Sequence, residues 1–465
     1  MNTLFLMVDE MAWWAVGSAS SLGAKTPHID ALAARGMVFD AAYTPSPICV
    51  PARAAIATGR YVHETGHWSS AEPYDGVLPS WGHRLREGGV EAVSIGKLHF
   101  RNEGDDTGFE RQIQPLHVHE GKGWLLGLVR RPVPRYDATA GLAEELGAGW
   151  TGYTRYDLGV TEAACAWLAE PERKARPWAA FVSYLSPHYP LIAPEEFLSL
   201  YDPADYVRPA EEVPDHPILR EIAGFFAHDR HFMDEARGLA HAAYRGLCSF
   251  VDAEVGKVLA ALEASGQADD TLVIFTSDHG DMMGEKGFWT KSVMYEASTR
   301  VPLIMAGPGV MAGRRADPVS LIDIAPTLAD VMGLGTNGFS GRSLLGSPDP
   351  DRVVLSEYHD GGCSVGMTML RWQARNGMQW KYVHYAEGHW PQLFDLTADP
   401  GETDDLAKAR PEILLFAEKR LAQIMDVEAV NARAHADQAQ KVQLHGGRDA
   451  ILGIPQWNFT KVGET

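Results

Sequence analysis

Four runs of unbroken apolar residues each stop at a polar residue able to do chemistry. LFLMV (4–8) ends at Asp9, EAVSIG (91–96) at Lys97, WAAFVSYL (178–185) just before His188, and TLVIFTS (271–277) at Asp278 and His279. Short continuous apolar runs mark strands buried on both faces of a parallel sheet. Helical patterns separate them. In the clearest, from about residue 239 to 264, Leu247, Phe250, Val251, Val255, Val258, Leu259 and Leu262 share one face, and Gly266 supplies a stop. The alternation predicts an α/β fold with a mostly parallel sheet sandwiched by helices. Such sheets bind ligands past the carboxyl ends of their strands. Asp9, Lys97 with His99, His188, and Asp278 with His279 are therefore expected along one rim.

Past residue 350 the pattern changes to alternation. VVLSEY is followed by MLRWQARNGMQWKYVHY, folded about Asn376-Gly377, which reads as a hairpin. LFDLTADPGE and a helix near 411–425 come next. This predicts a large domain over 1–350 and a small C-terminal α+β domain over 351–465, with an antiparallel sheet, a helix and an extended tail. The last stretch, QWNFTKVGET (456–465), is expected to pack on a neighbouring subunit.

Composition narrows the class. The 465 residues carry a formal charge of −20, with 45% hydrophobic and 22% charged residues. That is a soluble globular balance, and the acidity argues against a nucleic-acid binder, which shows a basic face. An anionic substrate would need a local pocket of Lys, Arg and His set against the global field. No apolar run is long enough to span a membrane. MNTLFLMVDE lacks the basic flank and small-residue cleavage site of a leader, so the expected location is the cytoplasm, or the periplasm if a leader has been removed. Cys49, Cys165, Cys248 and Cys363 are too dispersed for a disulfide framework.

One of these cysteines has an unusual setting. In SPICVPARAAIATGR (46–60), Pro47 and Pro51 stiffen a turn and ARAAIA continues as a helix, with Pro51 expected at its first position. Cys49 then lies at a helix N-terminus, where free N–H groups favour an anion. A thiolate-phosphatase loop would place Arg six residues after the Cys; here position 55 is Ala and Arg53 is only four on. A structural zinc site would need a second Cys nearby. Cys49-Val50-Pro51-Ala52-Arg53 resembles the C-x-P-x-R motif of the formylglycine-dependent (type I) sulfatase family of the alkaline phosphatase superfamily. TPHIDALAARGMVF (26–39), GKLHF (96–100), SPHYPLIAPEEFLSLY (186–201), SDHGDMMGEKGFWTKSVMYEASTRVPLI (277–304) and LFDLTADPGETDDLA (393–407) extend the resemblance along nearly the whole chain. SDHGD and GKLHF look nearest to the choline-sulfatase-like branch, with the phosphonate monoester hydrolases close by.

The resemblance implies an alkaline phosphatase-like fold and hydrolysis of a sulfate monoester to alcohol and sulfate. It implies that a separate maturation enzyme oxidises Cys49 to formylglycine, whose hydrate is the nucleophile. It implies one divalent ion, Ca²⁺ or Mn²⁺, held by Asp9, Asp278, His279 and an oxygen of modified Cys49. Glu10 stands where many relatives have a second Asp, and is either a further ligand or a neighbour of the ligands. Arg53 and Lys97 would neutralise the nucleophile and orient the sulfate oxygens. His99, two residues past Lys97 and on the same side of an extended chain, would deprotonate the remaining hydroxyl of the hydrate. His188 and Lys291 would contact the ester and protonate the leaving oxygen. The implied partners are a small-molecule sulfate ester, the maturation enzyme, and further copies of the chain in a dimer or tetramer.

Two departures bear on the substrate. Ala52 replaces the Ser of most sulfatases, as it often does in phosphonate monoester hydrolases, which keeps a phosphonate monoester or phosphodiester as the alternative substrate. TGHWSS (65–70) puts Ser70 where choline-sulfatase-like relatives tend to have Asn. Trp13, Trp14, His67 and Trp68 are candidates for an aromatic pocket wall, with ordinary packing as the alternative. His117 and His119 read as loop residues, and His228, His231 and His241 as part of a helical region. A non-catalytic anion binder with unmodified Cys49 is the remaining class; the full set of Lys, His and Asp positions argues against it.

Overall fold

Both faces of each apolar run are buried, so alternate residues pack into different layers. Strands β1 (Asn2–Asp9), β2 (Met37–Phe39), β3 (Glu91–Lys97), β4 (Arg111–Leu116), β5 (Trp178–Pro187), β6 (Thr271–Ser277), β7 (Leu303–Ala306) and β8 (Gly313–Arg315) form one sheet in the order β8-β2-β7-β6-β1-β5-β3-β4. The computed structural model describes residues 1–136, 139–205, 212–227, 230, 232–455 and 462. In it the four runs read from the sequence are adjacent parallel strands, with Leu4 opposite Val273 on one side and Ala180 on the other. Only β7 runs antiparallel to both its neighbours.

Leu4, Leu6 and Val8 face helices α2 (Gly152–Ala169) and α3 (Asp234–Ala264), meeting Val160, Trp167, Leu247 and Val251. Phe5 and Met7 face α1 (Cys49–Thr58) and α4 (Ile324–Val331), meeting Ala54, Ile56 and Leu328. Each fully buried Leu or Phe contributes about 1.5–3 kcal/mol. Helix α3 starts at Asp234, a little before the expected 239.

A second sheet is an antiparallel meander of β9 (Val353–Tyr358), β10 (Met367–Gln373), β11 (Gln379–Tyr385) and β12 (Gln392–Asp395). The Asn376-Gly377 turn joins β10 to β11, and Gly377 has φ +87, a conformation glycine adopts without strain. Helix α5 (Pro411–Ile424) packs Ala417 and Leu421 on Leu370, Trp372 and Trp380. Between the expected helix and the tail lies a further helix that the sequence reading did not name, α6 (Val427–Leu444), whose buried residues are only Asn431, Ala434 and Gln438. That face is polar and small, so no apolar stripe announces it. Apart from Val462, QWNFTKVGET lies outside the described residues. No helix among the described residues is long and apolar enough to cross a membrane.

Candidate active site

Asp9 closes β1, Lys97 closes β3, His188 follows β5, and Asp278 with His279 follows β6, so adjacent strand ends deliver them to one rim. Cys49 is the first residue of α1, entered from an extended Ile48. Pro51 is the third residue of that helix and not the first; its missing N–H is harmless there, because first-turn N–H groups have no intrahelical partner. Asp9, Cys49, Asp278 and His279 each bring one donor atom within 4.8 Å of the others, and all four are buried.

The outer carboxylate oxygens of this group are held by cations. Lys97 Nζ donates to Asp9 Oδ2, and Arg53 Nε donates to Asp278 Oδ2 at 2.7 Å. Arg53 Nη1 also donates to the Lys97 carbonyl and to Ser183 Oγ, each at 2.9 Å. The inner oxygens, Asp9 Oδ1 and Asp278 Oδ1, each lie 3.7 Å from His279 Nε2. His279 Nδ1 lies 3.0 Å from the Gly280 carbonyl, so it carries the hydrogen and the Nε2 lone pair points inward, 3.1 Å from Cys49 Sγ. Burial opposes ionisation of Asp9, but the nearby cations, Lys97 foremost, hold it well below the usual carboxylate range. Burial lowers His279, which keeps the ring neutral. Two hard oxygens and one imidazole lone pair converging beside Cys49 suit a divalent cation. Lys97 and Arg53 already balance the two carboxylates, so such an ion would leave the site positive, as an anionic ester requires.

The cavity face carries Glu10, His188, Lys291 and His99. Glu10 has φ +68, and its Oε2 accepts from Lys291 Nζ at 2.7 Å and lies 3.2 Å from His188 Nε2. Its backbone N–H donates to Asp278 Oδ1 at 3.2 Å, so Glu10 borders the four-residue group. Burial pushes its carboxyl up to about 8 despite Lys291. His188 Nδ1 faces the Tyr189 carbonyl at 2.8 Å and therefore carries a hydrogen. Burial and the charge of Lys291 lower His188 well below the ordinary imidazole value. Burial and Asp9 push the Cys49 thiol up to about 12. His99 does not follow the strand geometry expected of it. Strand β3 stops at Lys97, and His99 turns at φ +54 with its N–H on the Leu116 carbonyl at 2.9 Å, which still brings the ring to the cavity.

The cavity is also lined by aromatic residues, Trp124, Tyr136, Tyr153, Tyr189 and Phe226, together with Ser70, and the Tyr153 ring lies 5.8 Å from that of His188. His119, read from sequence as a loop residue, lines it too. The four candidates for this wall, Trp13, Trp14, His67 and Trp68, take the packing alternative. Arg300 lies 3.9 Å over Trp13, Trp14 packs in the core, Trp68 donates to Asp437, and His67 bonds the Glu72 carbonyl. Trp124 and Tyr136 sit in a segment without periodicity or motif, so the sequence gives no signal for them. Ser183, under Arg53, is hidden inside an apolar strand. His241 is buried beside Trp289, and His228 and His231 lie outside the described residues.

Residues 1–334 match the protein family described as Sulfatase, and residues 284–426 match the family described as N-sulphoglucosamine sulphohydrolase, C-terminal. A choline-sulfatase of Rhizobium meliloti (strain 1021) is 32% identical, over 95% of this chain and 90% of its own. Arylsulfatase K of Danio rerio is 29% identical, over 93% of this chain and 85% of its own. Among solved structures, the phosphonate monoester hydrolase of Agrobacterium radiobacter superposes with a TM-score of 0.73 at 26% identity, covering 93% of this chain and 96% of that one.

Proposed function

The chain belongs to the sulfatase family and is a sulfuric ester hydrolase, and from that premise we propose that it cleaves a small sulfate monoester with residues 1–350 and with formylglycine made from Cys49. A divalent cation held by Asp9, Asp278, His279 and the residue at 49 would supply positive charge beside the reacting anion, and formylglycine would supply a hydrated aldehyde as nucleophile. The observation that carries this reading is the convergence of Asp9 Oδ1, Asp278 Oδ1 and His279 Nε2 on Cys49, which opens C-x-P-x-R.

In this reading Arg53 and Lys97 act from behind the cavity. They fix the two carboxylates with their inner oxygens facing the donor group. His188 and Lys291 face the ester. Glu10 and His188 Nε2 are close enough to share one proton, and Lys291 stands on the same carboxylate, so a proton is available for the leaving alcohol oxygen. General acid assistance of this kind is worth about 10²–10⁴ in rate. His99, kept neutral by burial and by the charge of Lys97, can accept a proton at a ring nitrogen on the same cavity face.

Peptide mass spectrometry on GMVFDAAYTPSPICVPAR (36–53), paired with steady-state hydrolysis of an aryl sulfate, tests the reading. A peptide lighter by roughly one water in active protein is expected. An intact, alkylatable thiol in active protein would overturn it. Ala52 and the likeness to a phosphonate monoester hydrolase favour a second reading, a phosphonate monoester or phosphodiester as the preferred substrate. Ranking kcat/KM for matched aryl sulfate, phosphonate and phosphodiester esters separates the two.

A further inference from the structure

The cavity that holds Glu10, Cys49, His188 and Lys291 is also lined by Ser70, Trp124, Tyr136 and Phe226, so in the sulfate-ester reading this second group is the wall offered to the alcohol half of the substrate. Its footing belongs to the second sheet. Asp360 follows β9 and is fully buried. Its Oδ2 accepts from Ser70 N at 2.7 Å and Ser70 Oγ at 2.6 Å, and its Oδ1 accepts from Gly361 N at 2.7 Å. The Ser70 carbonyl in turn accepts from Trp124 N at 3.1 Å. One carboxylate therefore ties two separate cavity-lining segments together.

The glycines around it show how closely these parts fit. A Cβ on Gly127 would lie 2.0 Å from Asp360 Oδ1, and one on Gly123 would lie 2.0 Å from the Ser70 carbonyl oxygen. A Cβ on Gly361 would lie 3.1 Å from Gly127 Cα and 3.2–3.3 Å from two ring atoms of Trp124. Such contacts are tighter than packed side chains accept without moving. Trp124 then hands its position on: its ring meets Tyr136 edge-on at 5.3 Å, and Tyr136 meets Phe226 edge-on at 6.1 Å. Arg130 Nε anchors the same turn by donating to the Cys363 carbonyl at 2.9 Å.

We propose that the Asp360-Gly361 turn is a positioning element for the alcohol subsite, fixing Ser70 through the carboxylate and the Trp124 ring through the bare glycine. It rests on the sulfate-ester reading above. Asp360 touches no substrate; it acts through Ser70 and Trp124. The subsite it shapes is flat-walled and aromatic, which suits an alcohol presenting an apolar or aromatic face.

The test compares full-length wild type, D360N and G361A, each with formylglycine confirmed. D360N replaces an acceptor by a donor, and G361A pushes on Trp124 while leaving the carboxylate. KM for 4-nitrophenyl sulfate should rise about tenfold in both, the scale of a lost pocket contact, while the inhibition constant of inorganic sulfate, which has no alcohol half, should stay within about twofold. The pair D360N/S70A should lose no more than D360N alone, because both break one link. A parallel shift of both constants, or no shift in a variant of unchanged Tm, would overturn the proposal. If D360N fails to fold, G361A carries the same comparison. If the matured wild type hydrolyses no sulfate ester, the functional reading fails by itself, and calorimetric binding of 4-nitrobenzenesulfonate against sulfate still decides whether the turn shapes the subsite.

Discussion

At the rim of the large sheet, Lys97 pairs with Asp9, Arg53 with Asp278 and Lys291 with Glu10. Where the two sheets meet, Lys381 pairs with Glu296 at 2.8 Å and Glu402 at 2.9 Å, and Arg371 Nε donates to Tyr43 OH, which donates to Glu296. Both clusters are buried and built from the same residue types. They differ in what is left over. At the junction the Lys381 ammonium lies between the two carboxylates and donates to the Met294 carbonyl at 2.9 Å, and Glu402 Oε1, which makes no hydrogen bond, still lies 2.9 Å from that ammonium. At the rim, Arg53 Nη2 and Glu10 Oε1 have no partner among the described residues, a lone pair of His279 points inward, and the group adjoins a cavity. Buried ions that satisfy one another hold a fold together. Buried ions with donors and lone pairs to spare hold something else.

Breaking the rim should abolish chemistry and spare the fold. Replacing Cys49 with Ser should lower steady-state kcat by about 10⁴–10⁶, the scale seen when a covalent nucleophile is lost. Steady-state assays with a burst measurement check this, and multiple turnover by the variant would refute the nucleophile. His188→Ala should cost about 10²–10⁴ in kcat. The loss should shrink across a series of aryl sulfates as the leaving group becomes more acidic; a flat dependence would remove the general-acid role.

Breaking the junction should do the opposite. Lys381→Met leaves Glu296 and Glu402 buried without their cation, which should cost about 3–5 kcal/mol of stability in urea titrations. Turnover per folded molecule should stay near wild type, and a large loss of it would show that the two clusters are not independent.

A smaller effect sharpens the contrast through pH. Burial opposes ionisation of Glu357, yet the charge of His63 and its contact at 2.8 Å, with His359 Nε2 3.6 Å away, outweigh it and hold the carboxyl at about 2. Burial lowers His63, but the Glu357 charge outweighs that and raises it. A depressed carboxyl stabilises above its unfolded pKa and loses that contribution as pH falls through the folded value. A raised His stabilises below its unfolded pKa and loses that contribution as pH rises. The stability gap between wild type and Glu357→Gln, on the order of 3 kcal/mol, should be widest between about pH 4.5 and 6.5 and should close towards pH 2. A gap independent of pH would mean that packing, not charge, carries the pair.

Much of this was legible in the residues. Apolar runs ending in Asp9, Lys97, His188 and Asp278 foretold the rim, because a strand buried on both faces shows its length directly and its C-terminal edge is where such sheets bind. The antiparallel hairpin was legible at Asn376-Gly377. What stayed hidden depends on long-range contact or local backbone shape. The left-handed turn at His99 cannot be read from alternation. Trp124 meets Tyr136, Tyr136 meets Phe226, and Gly361, over 100 residues further on, packs against Trp124, contacts that no local pattern announces. Helix α6 buries Asn431 and Gln438 through hydrogen bonds, and polar burial leaves no hydrophobic stripe.

Cys49 retains only 6% exposure once α1 is seated against the sheet. If the residue is to be oxidised by a separate protein, that protein must find the segment before the fold closes over it. Maturation and folding then run as a race between two rates. Under that condition a chain that folded first would be locked out, stable and inert, with no route back short of unfolding. Specific activity would record the history of synthesis as much as the state of the enzyme, and rapid overproduction would yield a fixed mixture of live and silent molecules indistinguishable in shape.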